Sequence, residues 1–336
     1  MSFPGNDILA AAVEGSHADI RAGAGAGCPI IASVYEGRPL VTWLSGRRER
    51  IDAILNRHGA VLLRGFDVVE GGMEALLRAY GSSPLPVEEE TSPRTHLGGH
   101  VFTSTEYPPD QEIVPHNECS YRQAVPSRLF FLCERPSTRG GQTTLVDGNT
   151  VASHIDPGIL DGFRSKGWTY LRRYGTGLGV DVAGAFDLND QRKIERYCRD
   201  HDIHAEWKPD GRLVTRQRRD AFIGHPALGH PFWFNHVCFF HHTSVPPTLR
   251  AIATSDDELP YDTRYGDGSA IEERTIDHLR NCYQAGLKEV NWRAGDFLII
   301  DNLRMAHGRR PFEGRRRVLF AMSDLIHRPR FEPLET

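Results

Sequence analysis

The spacing of hydrophobic and polar positions changes several times along the chain, and each change marks a change of element. RERIDAILNRHGAVLLRGFDV puts Ile51, Ile54 and Leu55 on one face of a helix that stops at His58-Gly59 and runs into a buried strand, AVLLRGF. From 98 to 150 the period shortens, and HVFTSTEYPPD, EIVPHNE, SRLFFLCERP and GGQTTLVDGN read as antiparallel strands separated by turn residues. Residues 151 to 205 turn helical and charged (DLNDQRKIERYCRDHDI), ending near WKPDGRLVTR, a hairpin signal with Asp210-Gly211 at its turn. β character returns in HPFWFNHVCFFHH. A further helix is expected over SAIEERTIDHLRNCYQAG, and NWRAGDFLIIDNLRMAHGRRPFEGRRRVLFAMSD closes the chain as two buried strands around a polar turn. The pattern predicts a mainly β fold with flanking helices (α+β) in a single domain, 1–336. Its parts are a helical N-terminal flank to about 90, a β core over about 91–150 and 206–325, and a helical insert over about 151–205.

Composition narrows the function classes. With 336 residues, 39% hydrophobic and 25% charged positions and a mean hydropathy of -0.43, the chain has the make-up of a globular protein, with no apolar run long enough to span a membrane. MSFPGNDILAAAVEG lacks the basic flank and apolar stretch of a secretory signal, so a cytoplasmic protein is expected. Six cysteines lie far apart without a CxxC pair, which favours reduced, packed thiols over a disulfide framework or cysteine-bound zinc. The net charge is -4 and the one basic cluster, GRRRVLF, is short and embedded in a strand-like run. Nucleic acid is therefore not an expected partner, and a small molecule is.

The candidate chemistry starts at VPHNECSY. His116 and Glu118, at i and i+2 near an expected strand end, leave the same face and can converge on one point. His307, directly after LIIDNLRMA, stands at what reads as another strand-to-loop junction. Two histidines and one carboxylate make the facial triad that binds Fe(II) and leaves positions open. An H-x-E pair arises easily among 16 histidines, so the weight lies in what accompanies it: GGQTTLVD after the pair, GDFLIIDN before His307 and GRRRVLFAM after it. An iron centre that uses 2-oxoglutarate needs a cation beyond the metal for the distal carboxylate, and arginine binds a carboxylate bidentately. A zinc hydrolase on the same three residues would leave GGQTT and GRRRV without a role, and a non-catalytic jelly-roll binding protein would not need all three ligands. His225, His230, His236, His241 and His242 alternate faces around an aromatic run and lack a matching carboxylate, so no second metal site is expected there.

From TSPRTHLGGHVFTSTEYPPDQEIVPHNECSY through RPSTRGGQTTLVD and PFWFN to YGDGSAIE and WRAGDFLIIDNLRMAHGRRPFEGRRRVLFAM, most of residues 90 to 325, the chain resembles the taurine dioxygenase-like Fe(II)/2-oxoglutarate-dependent oxygenases. It looks closest to the branch typified by the syringomycin-pathway hydroxylase, whose members often act in peptide natural-product biosynthesis. The resemblance implies a double-stranded β-helix (jelly-roll) core, with Fe(II) held by His116, Glu118 and His307 and with 2-oxoglutarate and O₂ as co-substrates. It also implies that Thr143 and an arginine of the final strand hold the 2-oxoglutarate C5 carboxylate. Alternation puts Arg315 and Arg317 on one face and Arg316 on the other. Arg317 is the expected residue, because it directly precedes VLFAM as the family's cofactor arginine precedes its own apolar run.

Two departures bear on the substrate. Glu118 stands where most of the wider family has aspartate, and its presence argues against a halogenase, which needs a small residue there. Ala321 stands four residues past Arg317, where the taurine enzyme carries an arginine for its sulfonate. The implied activity is hydroxylation of an unactivated C–H bond in an amino-acid-like substrate, free or tethered to a carrier protein. Arg94 of SPRT and Asn235 of FWFN are its candidate contacts. Desaturation, cyclisation and epoxidation share every iron ligand and stay open.

Overall fold

The computed structural model describes residues 20–24, 27–33, 37–69, 72–86, 89, 94–104, 107–186, 188 and 190–329. The N-terminal stretch read above for a secretory signal lies outside the described residues. The helix Arg48–His58 forms where the apolar spacing places it, with Ile51, Ile54 and Leu55 fully buried. Glu49 in its first turn and Arg57 and His58 in its last suit the helix dipole. Gly59, at φ 78°, ends it in a left-handed conformation that a side chain would disfavour.

The chain then enters an eight-stranded sheet. In spatial order this runs β1 (Ile20–Ala24), β2 (Pro29–Ser33), β3 (Ala60–Arg64), β17 (Phe297–Asp301), β7 (Ala124–Arg135), β20 (Arg317–His327), β5 (Val101–Thr103) and β4 (His96–Gly98). Neighbours are antiparallel except β2 and β3. A four-stranded antiparallel sheet, β16 (Lys288–Val290), β9 (Thr143–Asp147), β18 (Met305–Arg309) and β6 (Ile113–His116), lies against it.

Strand alternation divides the central strands of the large sheet between two cores. Val61, Leu63, Phe130, Leu132, Phe297, Ile299, Leu319 and Ala321 pack with Leu40, Trp43, Ile54 and Leu76 of the helices on its outer face. Leu62, Leu129, Phe131, Leu298, Val318, Phe320 and Met322 point the other way, to Leu145, Val290 and Met305 of the small sheet. Strands buried on both faces read as continuous apolar runs, which is why LFFLC and VLFAM carry no visible alternation.

The flank before residue 90 is not simply helical, since β1, β2 and β3 join the large sheet, and the β core does not begin at 91; three further expectations need correction. The insert is not simply helical: its centre is β10 (Trp168–Tyr174), buried at all seven positions. This strand joins β11 (His204–Trp207), β12 (Leu213–Arg219) and β15 (Tyr261–Tyr265) in a third sheet, so the inserted unit runs well past 205. Arg172 and Arg173 disguise the strand in sequence. Arg172 is accommodated among aromatic rings, 4.8 Å from Tyr174. Second, HPFWFNHVCFFHH supplies only β14 (Pro231–Trp233), paired with β13 (Phe222–Gly224), and then a short helix, Val237–Phe240. A short apolar run does not distinguish the two periods. Third, the closing segment forms three long strands, β17, β18 and β20, with the two-residue β19 (Phe312–Glu313) paired to β8 (Arg139–Gly140) between the last two. All six cysteines are free and buried. Among the described residues no helix is long and apolar enough to cross a membrane.

Candidate active site

The two sheets meet around a small cavity. His307, Thr143 and Arg309 reach it from the inner face of the small sheet, and Phe131, Phe320 and Arg316 from the inner face of the large one. His307 lies mid-strand in β18, directly opposite His116 at the end of β6, rather than at a strand-to-loop junction. Gly308 is required beside it, since a Cβ there would stand 2.3 Å from the Ile113 carbonyl oxygen. After His116 the chain turns sharply, with Cys119 at φ 57°, and this turn brings Glu118 back toward both imidazoles. Glu118 Oε2 is 3.8 Å from His116 Nε2 and 3.7 Å from His307 Nε2. One ligand atom from each of the three lies within 4.8 Å of the others, and all three residues are buried, so the donor set fits a metal ion.

Electrostatics favour the ligand forms. His116 Nδ1 donates to the Val114 carbonyl at 2.9 Å, which leaves the Nε2 lone pair for a metal. Burial, with the neighbouring His116, pushes His307 down to about 3, so its imidazole is neutral. Burial works against the charge of Glu118, but Arg94 and the two imidazoles outweigh it and hold the carboxyl well below the ordinary range.

Residues that the sequence did not single out hold this geometry. Asn302, the last residue of LIIDN, is fully buried and grips Glu118 at both ends. Its Oδ1 accepts from the Glu118 N–H at 2.8 Å, and its Nδ2 donates to the Glu118 carbonyl at 3.0 Å and to that of Pro126 at 2.7 Å. The turn before His307 is thereby tied to the turn that presents Glu118. Behind His116, Phe239 and His236 pack with ring centroids at 4.7 and 4.8 Å, and His236 Nδ1 is 2.6 Å from the Ser120 hydroxyl. Trp292 donates its indole N–H to Thr143 Oγ1 at 3.1 Å. Each of these contacts joins residues distant in sequence, so only GDFLIIDN gave a local signal.

The arginine expected at the far end is off by one. Arg317 points outward, 51% exposed, with Nε 2.5 Å from Glu134 Oε2. It is Arg316 that lines the cavity, donating from Nη1 to Ser104 Oγ at 3.1 Å while its Nε has no hydrogen-bond partner. Arg316 lines the cavity with Phe320, whose face Val318 and Met322 share, whereas Arg317 stands where the β20–β7 register shifts and turns to Glu134. Burial, with Arg309 nearby, lowers Arg316 to about 10, which marks a cation short of counter-charge. Thr143 lies in the cavity wall as expected.

Arg94 also lines the cavity. Its Nη2 donates to Glu118 Oε1 at 3.0 Å, its guanidinium lies 4.4 Å from the Phe320 ring centroid, and its Nη1 is buried without a hydrogen-bond partner. Asn235 does not line it. Asn235 Nδ2 donates to the Ala221 carbonyl and Oδ1 accepts from the Val237 N–H, so this side chain is spent on the turn before the short helix. Arg309 braces the cavity mouth on the carbonyls of Tyr107, Pro108 and Gln111, and Arg304 binds Asp147 and the Asn56 carbonyl. In the histidine run, His241, His242 and Asp262 also cluster. His241 has both nitrogens engaged, by Thr243 and by the Ile271 carbonyl, and Asp262 supplies the carboxylate that the sequence reading did not find beside these histidines.

Residues 25–322 match the taurine catabolism dioxygenase TauD, TfdA family. The chain belongs to that family. It is 36% identical over 281 residues to the dapdiamide synthesis protein DdaC of Enterobacter agglomerans, covering 82% of this chain and 85% of that one. It is 29% identical over 300 residues to a clavaminate synthase-like protein of Arabidopsis thaliana, covering 84% and 87%. PvcB of Pseudomonas aeruginosa shares the fold at a TM-score of 0.55 and 18% identity, over 92% of both chains. A taurine dioxygenase from Burkholderia xenovorans does so at 0.52 and 14%, over 91% of this chain and 89% of that one. The architecture is the TauD-like double-stranded β-helix, mixed α+β. As a TauD-family member the protein is a 2-oxoglutarate-dependent non-haem iron dioxygenase, with Fe(II) and 2-oxoglutarate as its cofactors.

Proposed function

We propose that this TauD-family oxygenase hydroxylates an unactivated C–H bond of an amino-acid-like substrate, free or tethered to a carrier protein, in natural-product biosynthesis. This places it in the branch typified by the syringomycin-pathway hydroxylase. His116, Glu118 and His307 are the iron ligands, and Arg316, with the Thr143 hydroxyl, receives the C5 carboxylate of 2-oxoglutarate. When bound, iron and 2-oxoglutarate supply the oxidation, in which O₂ converts the co-substrate to succinate and CO₂ as the substrate carbon is oxidised. The protein orients both reactants and keeps water out, and Ile113, Phe131 and Phe320 give the cavity its apolar walls.

The observation that carries the substrate class is Arg94. Three guanidinium groups with an unused buried N–H line the cavity; Arg309 is otherwise spent on three backbone carbonyls, which leaves Arg316 at one end and Arg94 beside Glu118. One serves the co-substrate, and the other fits a carboxylate on the substrate. Four residues beyond Arg316, where the taurine enzyme has its sulfonate-binding arginine, this chain has Phe320, which supports a substrate other than a sulfonate. The dapdiamide synthesis role in the name of the 36%-identical relative supports natural-product chemistry. The test is a succinate-release screen of free amino acids, short peptides and carrier-bound aminoacyl thioesters with the iron-loaded enzyme. Turnover of one of these classes is expected, and a product mass raised by one oxygen separates hydroxylation from desaturation. Turnover confined to a sulfonate, a fatty acid or a nucleobase would overturn the substrate class.

A further inference from the structure

We infer that Arg94 is a positioning residue for the metal centre, holding one oxygen of Glu118 so that the carboxylate offers the metal only the other. The inference rests on the ligand assignment proposed above. The two oxygens of Glu118 have different surroundings: Oε2 faces both imidazole Nε2 atoms at 3.7 and 3.8 Å, whereas Oε1 accepts from Arg94 Nη2 at 3.0 Å. The arginine and glutamate side chains are 9% and 11% exposed, so water does not compete freely for this contact. The Phe320 ring supports the guanidinium from one side at 4.4 Å.

The division matters because of coordination number. A six-coordinate ion bound by two histidines and one carboxylate oxygen keeps three positions open, and a carboxylate bound through both oxygens takes one of them. Glutamate is more prone to this than aspartate, since its extra methylene adds a rotatable bond through which the carboxylate can turn. A charge-assisted hydrogen bond to Oε1 opposes that rotation. The longer ligand and the buried arginine therefore belong together. Asn302 fixes the backbone of Glu118, and Arg94 fixes the far end of its side chain.

The experiment compares wild type with Arg94→Met, which keeps a long side chain over Phe320 but no donor, and with Arg94→Lys, which restores a single donor. Each protein is loaded with Co(II) for visible absorption and magnetic circular dichroism, and with Mn(II) for crystallography. The expected result is one Glu118 oxygen on the metal in wild type and Arg94→Lys, and two in Arg94→Met, with a matching shift of the Co(II) ligand-field bands. A one-oxygen carboxylate and unchanged bands in Arg94→Met would overturn the positioning role, as would a two-oxygen carboxylate in wild type. Failure of wild type to bind either ion at these residues would overturn the ligand assignment as well, and is recognisable separately.

Discussion

The two ends of the cavity are built differently. At the metal end the candidate ligands are held from several sides: His116 by the Val114 carbonyl, Glu118 by Asn302 and Arg94, and His307 through its backbone in mid-strand, flanked by β6 and β9, with its Nδ1 making no hydrogen bond. At the far end Arg316 reaches in from the start of a strand with one hydrogen bond, to Ser104, and an unused Nε. The metal end is preorganised. The arginine end is left to be completed by the carboxylate it receives. A centre that must present three donors to one point needs rigid support on all of them, whereas a single cation meeting a flexible diacid needs only to be present and poorly hydrated.

This contrast predicts effects that fall in size from one end to the other. Alanine at His116, Glu118 or His307 should abolish succinate formation while the far-UV circular dichroism stays native, because the strands that carry the site are held by the two cores; near-normal turnover by Glu118→Ala would mean the triad is misassigned. Asn302→Ala leaves the buried N–H and C=O of Glu118 without their partner. It should destabilise the fold by ~3 kcal/mol and weaken Co(II) binding, as read by chemical denaturation and metal titration. If stability falls but metal affinity does not, the grip on Glu118 serves the fold alone. Arg316→Ala should raise the 2-oxoglutarate KM roughly 10- to 150-fold, the loss of a charge-assisted contact of about 1.5–3 kcal/mol, with Arg317→Ala within about twofold of wild type. The reverse pattern would show that the final strand enters the cavity in the other register. Thr143→Val removes a donor that carries no charge of its own and should raise the same KM less, about fivefold, ~1 kcal/mol.

Which parts were legible in sequence follows from how local their causes are. The helix at 48–58 was, because an apolar stripe and a glycine stop lie within a few residues. So were the three candidate ligands, since His116 and His307 sit on strands that the sequence shows and Glu118 follows His116 in the same short motif, although it reaches the site through a turn and not along a strand. Which arginine lines the cavity was not. Choosing among three consecutive arginines requires knowing which face of β20 meets the small sheet, and a strand buried on both faces does not announce it. β10 was hidden by Arg172 and Arg173, whose place in a buried strand depends on rings from its own alternating face and on Asp257. Asn235 looked like a recognition residue because it is polar within an aromatic run, but its partners, Ala221 and Val237, make it a local brace.

The run Arg315-Arg316-Arg317 also bears on how this edge of the molecule tolerates changes of length. The cation that enters the cavity stands two positions before Val318. Deleting any one of the three arginines leaves an arginine at that position, and inserting a fourth does the same. The loop between the distal histidine strand and the last strand can therefore gain or lose a residue without the site losing its charge. Glycine at 314 sets the limit: two deletions within the run would bring it into the cation's place.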